Sequence, residues 1–96
     1  MAVGLLARAQ AAADGIFIQR VLEAAWEAAL AIYSEVSTTP GHVARATYAV
    51  AVLTDTTGQH GTIFAHACVA QGVDGSSTDA QIAVAVAACW NALAHA

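Results

Sequence analysis

Apolar positions dominate the stretch 16–36, and no glycine or proline interrupts it. Its alanines and leucines favour a helix. The charged residues Arg20, Glu23 and Glu27 recur at spacings of three and four, with Glu35 slightly rotated, so they share one stripe of that helix. The rest of the circumference is apolar: Phe17, Val21, Leu22, Ala25, Trp26, Ala28, Ala29, Ile32 and Tyr33. An apolar arc this wide predicts contacts on two sides of the helix rather than one. Asp14-Gly15 marks the break or N-cap before it.

Glycine, proline and hydroxyl residues punctuate the remainder. Residues 3–13 read as a short alanine-rich helix. The run Ser37-Thr38-Thr39-Pro40-Gly41 stops one helix and starts another, with Thr39 as cap and Pro40 at the first helical position. The following helix, 40–53, is expected to turn Val43, Ala46, Val50 and Leu53 inward, with His42 and Arg45 elsewhere. Residues 54–58 form a turn. Residues 59–71 read as a helix with a stripe of Ile63, Phe64, Ala67 and Ala70. Thr62-Ile63-Phe64 also fits a strand start, but one isolated strand has no partner in this chain. A flexible loop at 72–77 precedes a last helix capped by Ser77 or Thr78, with Asp79 well placed near its N-terminus. There Ile82, Val86, Cys89 and Leu93 make a stripe with Trp90 at its flank. The expected fold is all-α, a compact bundle of four to five helices forming one domain over 1–96.

Composition changes this picture. The chain is 58% apolar and 10% charged, with 26 alanines, no lysine and arginine only at 8, 20 and 45. Ordinary soluble domains are about 25% charged. A domain of 96 residues has too much surface to hide so many apolar groups by itself. Much of that surface is therefore expected to be covered by copies of itself or by other proteins. The net charge is −4 and the arginines are scattered, so strong direct nucleic-acid binding and adhesion to an anionic membrane are both disfavoured. Residues 80–96 carry no charge, yet their alanines and interrupting polar groups predict a buried or interface helix rather than a membrane span. Residues 1–8 lack the basic start of a signal peptide.

Candidate chemistry is thin. His66 and Cys68, two apart, point in opposite directions on a helix and share no metal. No four-ligand set is visible among His42, His60, His66, His95, Cys68 and Cys89. Both cysteines read as small buried thiols, with a single disulfide as the alternative. Glu23 and Glu27 read as a solvated face beside Arg20. Gly58 and Gly61 lack the lysine of a phosphate loop. The reading is therefore a non-enzyme, with no catalytic or metal-binding residue and no cofactor. Aromatics and arginine are favoured interface anchors, which makes Arg20, Trp26, Tyr33, Arg45 and Tyr48 the candidate contact residues.

The segment Thr39-Pro40-Gly41-His42-Val43-Ala44-Arg45 and the ending Ile82, Val86, Cys89-Trp90-Asn91-Ala92-Leu93-Ala94 resemble small alanine-rich helical proteins of the virion morphogenesis modules of tailed bacteriophages. The likeness runs from about Phe17 onward. Asp55 to Gly61 departs from it, with glycine where a charged helix start is expected. The resemblance implies a structural subunit of the virion, in the capsid, neck or head–tail junction, assembled in the bacterial cytoplasm. Its partners would be copies of itself or other virion proteins. The rival expectation is a small soluble regulator or inhibitor that binds one host partner.

Overall fold

A computed structural model describes residues 14–93 and shows four helices there: α1 (Gly15–Ser34), α2 (Pro40–Leu53), α3 (Gln59–Ala70) and α4 (Asp79–Leu93). There is no strand among the described residues. The expected helix at 3–13 lies outside them. α1 is the organising element and packs against each of the other three, while α4 also touches α2 and α3.

Local chemistry sets each boundary. The Asp14 carboxylate accepts from the N–H groups of Ile16 and Phe17 and starts α1. Thr39 Oγ1 accepts from His42 N–H, and Pro40 occupies the first turn of α2. Asp55 accepts from the backbone N–H groups of Thr57 and His60 and pins the start of α3. α3 ends where Gly72, at φ +86, lets Val73 N–H reach Cys68 O and Gly72 N–H reach Val69 O. Those two bonds satisfy the last carbonyls of the helix. At α4, Thr78 Oγ1 accepts from Gln81 N–H while Gln81 Oε1 accepts from Thr78 N–H, a reciprocal cap.

The core is built from Phe17, Val21, Ala25, Ala29 and Ile32 of α1, Ala49 and Val52 of α2, Phe64, Ala65, Cys68 and Val69 of α3, and Ile82, Ala85, Val86 and Trp90 of α4. Alanines at the contacts let the helices approach closely, and the aromatics fill what remains. At the crossing of α1 and α3, a Cβ on Gly61 would stand 3.2 Å from Ile18 Cγ2. That glycine lets α3 lie directly against Ile18 and Leu22.

Two inward faces differ from the sequence expectation. On α2 the buried residues are His42, Ala49 and Val52; of the expected stripe, Ala46 and Leu53 are half-buried against the core, whereas Val43 and Val50 are exposed. The observed face is rotated from the expected one by roughly a quarter-turn at about 100° per residue. Ala49 permits a closer helix approach than a valine does. His42, 6% exposed, lies with Nδ1 3.1 Å from Oε2 of Glu35, at the end of α1. The approach lacks hydrogen-bond geometry, so His42 Nδ1 is a buried polar atom without a hydrogen-bond partner among the described residues. On α3, Phe64 is buried as expected, but Ile63 and Ala70 face out, and Gly61, Ala65, Cys68 and Val69 take the inner side. Again the small residues carry the contact. On α4, Ile82 and Val86 are buried as expected, and Ala85 and Trp90 join them, while Cys89 and Leu93 are half-buried.

Candidate interaction surface

The core stripe of α1 leaves its opposite side uncovered. Trp26, Leu30 and Tyr33 stand at i, i+4 and i+7, so they form one line along the helix. That line lies roughly 120° around the axis from the core stripe. Their exposures are 44%, 48% and 61%. Half-buried Leu22 and exposed Gln19 extend the line toward the N-terminus. Gln19, Leu22, Glu23, Trp26 and Glu27 together line a shallow cleft on this face. The other large exposed apolar groups among the described residues, Ile16, Val36, Val43, Val50, Ile63 and Val84, contain no aromatic side chain. Single apolar side chains at a surface are ordinary; an aromatic-bearing line on one helix is not.

Acidic charge borders the line on one side. Glu23 and Glu27 are exposed and make no hydrogen bond or ion pair among the described residues. The other five acidic groups each have a polar contact, four of them hydrogen-bonded. Asp14 caps α1, Glu35 meets His42, Asp55 caps α3, Asp74 accepts from Ser76, and Asp79 pairs with Arg20.

The five candidate contact residues separate. Trp26 and Tyr33 share the outward line of α1. Arg20 is turned into the molecule: Nε and Nη2 donate to Asp79 Oδ1 at 3.2 and 2.8 Å, Nη1 to Gly75 O at 3.1 Å, and Nη2 to Ser77 O at 2.8 Å. It latches the loop before α4 onto α1. Tyr48 is half-buried in an aromatic cluster, edge-on to Trp90 and Phe64 at centroid distances of 5.4 and 5.9 Å. Its hydroxyl meets His60 Nδ1 at 3.0 Å. Arg45 is half-buried, and its Nε has no hydrogen-bond partner among the described residues. Sequence reasoning missed Leu30, which the spacing from Trp26 to Tyr33 brackets. Its reading of Glu23 and Glu27 as a solvated face agrees with their exposure.

Burial pushes the Cys68 thiol up to about 11, with Cys89 adding to the shift. Burial also raises the Cys89 thiol, against the opposing hydrogen bond from Gln71. Both cysteines are free thiols, and such values keep them protonated and poorly nucleophilic near neutral pH. Tyr48 is likewise raised, chiefly by burial, which disfavours a phenolate. The cleft beside α4, lined by Gln71, Val73, Ala80, Gln81, Val84 and Ala85, holds no ionisable group. Its two long polar side chains both have partners: the Gln71 amide donates to Ala85 O at 3.1 Å, and Gln81 Oε1 accepts from Thr78 N–H at 2.9 Å. No cluster of three or more His, Cys, Asp or Glu able to hold a metal ion occurs among the described residues. Nor is any helix among them long and apolar enough to cross a membrane. Comparison with protein-family models, with curated proteins and with solved structures found no match.

Proposed function

We propose that this chain is a non-enzymatic structural subunit that assembles by docking the outward line of α1 against a neighbouring protein. The setting is the one the sequence resemblance implies: the virion of a tailed bacteriophage, at the capsid, neck or head–tail junction. The supporting observation is the exposure of Trp26, Leu30 and Tyr33 in one line on the helix that also organises the core.

The magnitude favours assembly over a single tight contact. At these exposures the three side chains leave roughly 300 Å² in water, worth about 8 kcal/mol gross if fully buried. Association itself costs roughly 4–15 kcal/mol. One such face therefore gives a weak pairwise contact, and repetition around a ring or over a shell makes weak contacts collectively firm. Docking dominated by apolar burial resists salt.

Density-gradient sedimentation of the material in which the chain naturally occurs, with mass spectrometry of each fraction, tests this reading. Co-migration with large particles in a fixed ratio to a major shell or tail protein supports it. A chain found only as a small species at the top of the gradient defeats the virion reading. That result would favour the regulator, a reading that the confinement of the exposed aromatics Trp26 and Tyr33 to one helix face also accommodates.

A further inference from the structure

We infer that the occupant of the α1 line is an amphipathic helix of a different protein, one whose apolar stripe is bordered by lysine or arginine, rather than a second copy of this chain. The inference rests on the docking reading above and specifies the partner.

Charge complementarity carries it. Glu23 and Glu27 stand one helical turn apart along the edge of the line and share a cleft with Trp26. They are the two carboxylates left without a partner among the described residues. The described residues of a second copy have little to offer them. In an antiparallel pair of α1 helices related by a twofold axis, equivalent edges face each other. Glu23 and Glu27 would then meet Glu23 and Glu27 of the copy, four carboxylates beside an Arg20 that Asp79 and two carbonyls already hold. In a parallel pair the acidic edge meets the opposite side of the line, toward the uncharged Leu22. The cations of the described residues are Arg20 and Arg45. Arg20 spends its guanidinium on Asp79 and two carbonyls, and Arg45 is half-buried on α2. A helix with basic residues four apart beside an apolar stripe supplies what this edge lacks. The apolar line gives the contact its strength, and the edge chooses the partner.

The test uses the full chain and two tryptophan-free synthetic helices of about 20 residues, long enough to span the α1 line. The two have identical leucine stripes and differ only in lysine or glutamate borders. Calorimetry reads affinity, the emission shift of Trp26 reports burial of the face, and sedimentation velocity gives the state of the chain alone. Lysine-bordered peptide binding at least about tenfold tighter is expected, with the preference inverted in the double variant Glu23→Lys, Glu27→Lys. In about 1 M salt the preference should collapse while binding persists. Equal binding of both peptides overturns the partner chemistry and leaves the docking face standing. A chain that binds neither and is dimeric, with Trp26→Ala releasing monomers, overturns the inference in favour of a second copy. A monomer that binds neither removes this inference together with the docking reading.

Discussion

Replacing Arg20 by alanine removes the latch between α1 and the segment entering α4. The ion pair with Asp79 contributes under about 1 kcal/mol, because the Asp79 side chain is 91% exposed. The bonds to Gly75 O and Ser77 O are charge-assisted, a class worth about 1.5–3 kcal/mol each when shielded. Gly75 is exposed and water replaces the guanidinium there, so most of the effect falls on half-buried Ser77. The sum is about 2 kcal/mol, which lowers Tm by about 10 °C in a domain of this size. Asp79→Asn should cost clearly less than Arg20→Ala, since it leaves both carbonyl bonds in place. Arg20→Lys should recover under half of the loss, because an ammonium lacks the planar fork that spans three acceptors. Thermal unfolding of the three variants at low and high salt is the assay. If Arg20→Ala and Asp79→Asn cost the same and both costs disappear at about 1 M salt, the arginine acts only through a surface ion pair and the latch argument fails.

Other outcomes follow from single contacts. Gly61→Ala exchanges a helix-propensity gain of up to about 1 kcal/mol against a Cβ placed 3.2 Å from Ile18 Cγ2, so its stability should stay within about 1 kcal/mol of the wild type. Gly61→Leu should lower stability by about 1–3 kcal/mol or more; an unchanged Tm for the leucine variant would show that α3 does not lie against Ile18. The Asp55 carboxyl is held down at about 2, first by the His60 N–H and then by the hydroxyl and N–H of Thr57. A depressed carboxyl stabilises the fold above its ordinary value of 3.8, and that contribution disappears as pH falls toward about 2. The Tm gap between wild type and Asp55→Ala should therefore be open above that window and narrow through it; a gap independent of pH across that window would refute the cap. Cys68, raised to about 11 and buried, should alkylate in the native protein far more slowly than in denaturant and more slowly than half-buried Cys89. Native Cys68 reacting as fast as a free thiol would contradict its place in the core.

The helices and their ends were legible because they depend on local chemistry. Asp14, Thr39-Pro40 and Thr78 act on backbone groups within a few residues, and those rules read directly along a chain. Which face turns inward was less legible. A hydropathy reading of α2 prefers Val43 and Val50, but helices that pack through alanine gain by approaching closely, which puts Ala49 inside and the valines out. Ile63 on α3 followed the same rule. Arg20 and Tyr48 depend on partners distant in sequence. Arg20 meets Asp79 59 positions away, and the aromatic box around Tyr48 exists only after α2, α3 and α4 meet. No spacing rule reaches those pairings. The wide apolar arc of α1 left open which part of it faces the core. Only the fold shows that Ala25 and Ala29 go inside while Trp26 and Leu30 stay out.

Hydroxyl-radical footprinting of the chain, alone and in its native assembled material, tests the docking face most directly. The account predicts that Trp26, Leu30 and Tyr33 become protected on assembly while Val84, 71% exposed on α4, remains as reactive as before. Trp26 and Tyr33 reacting equally in both states would contradict it.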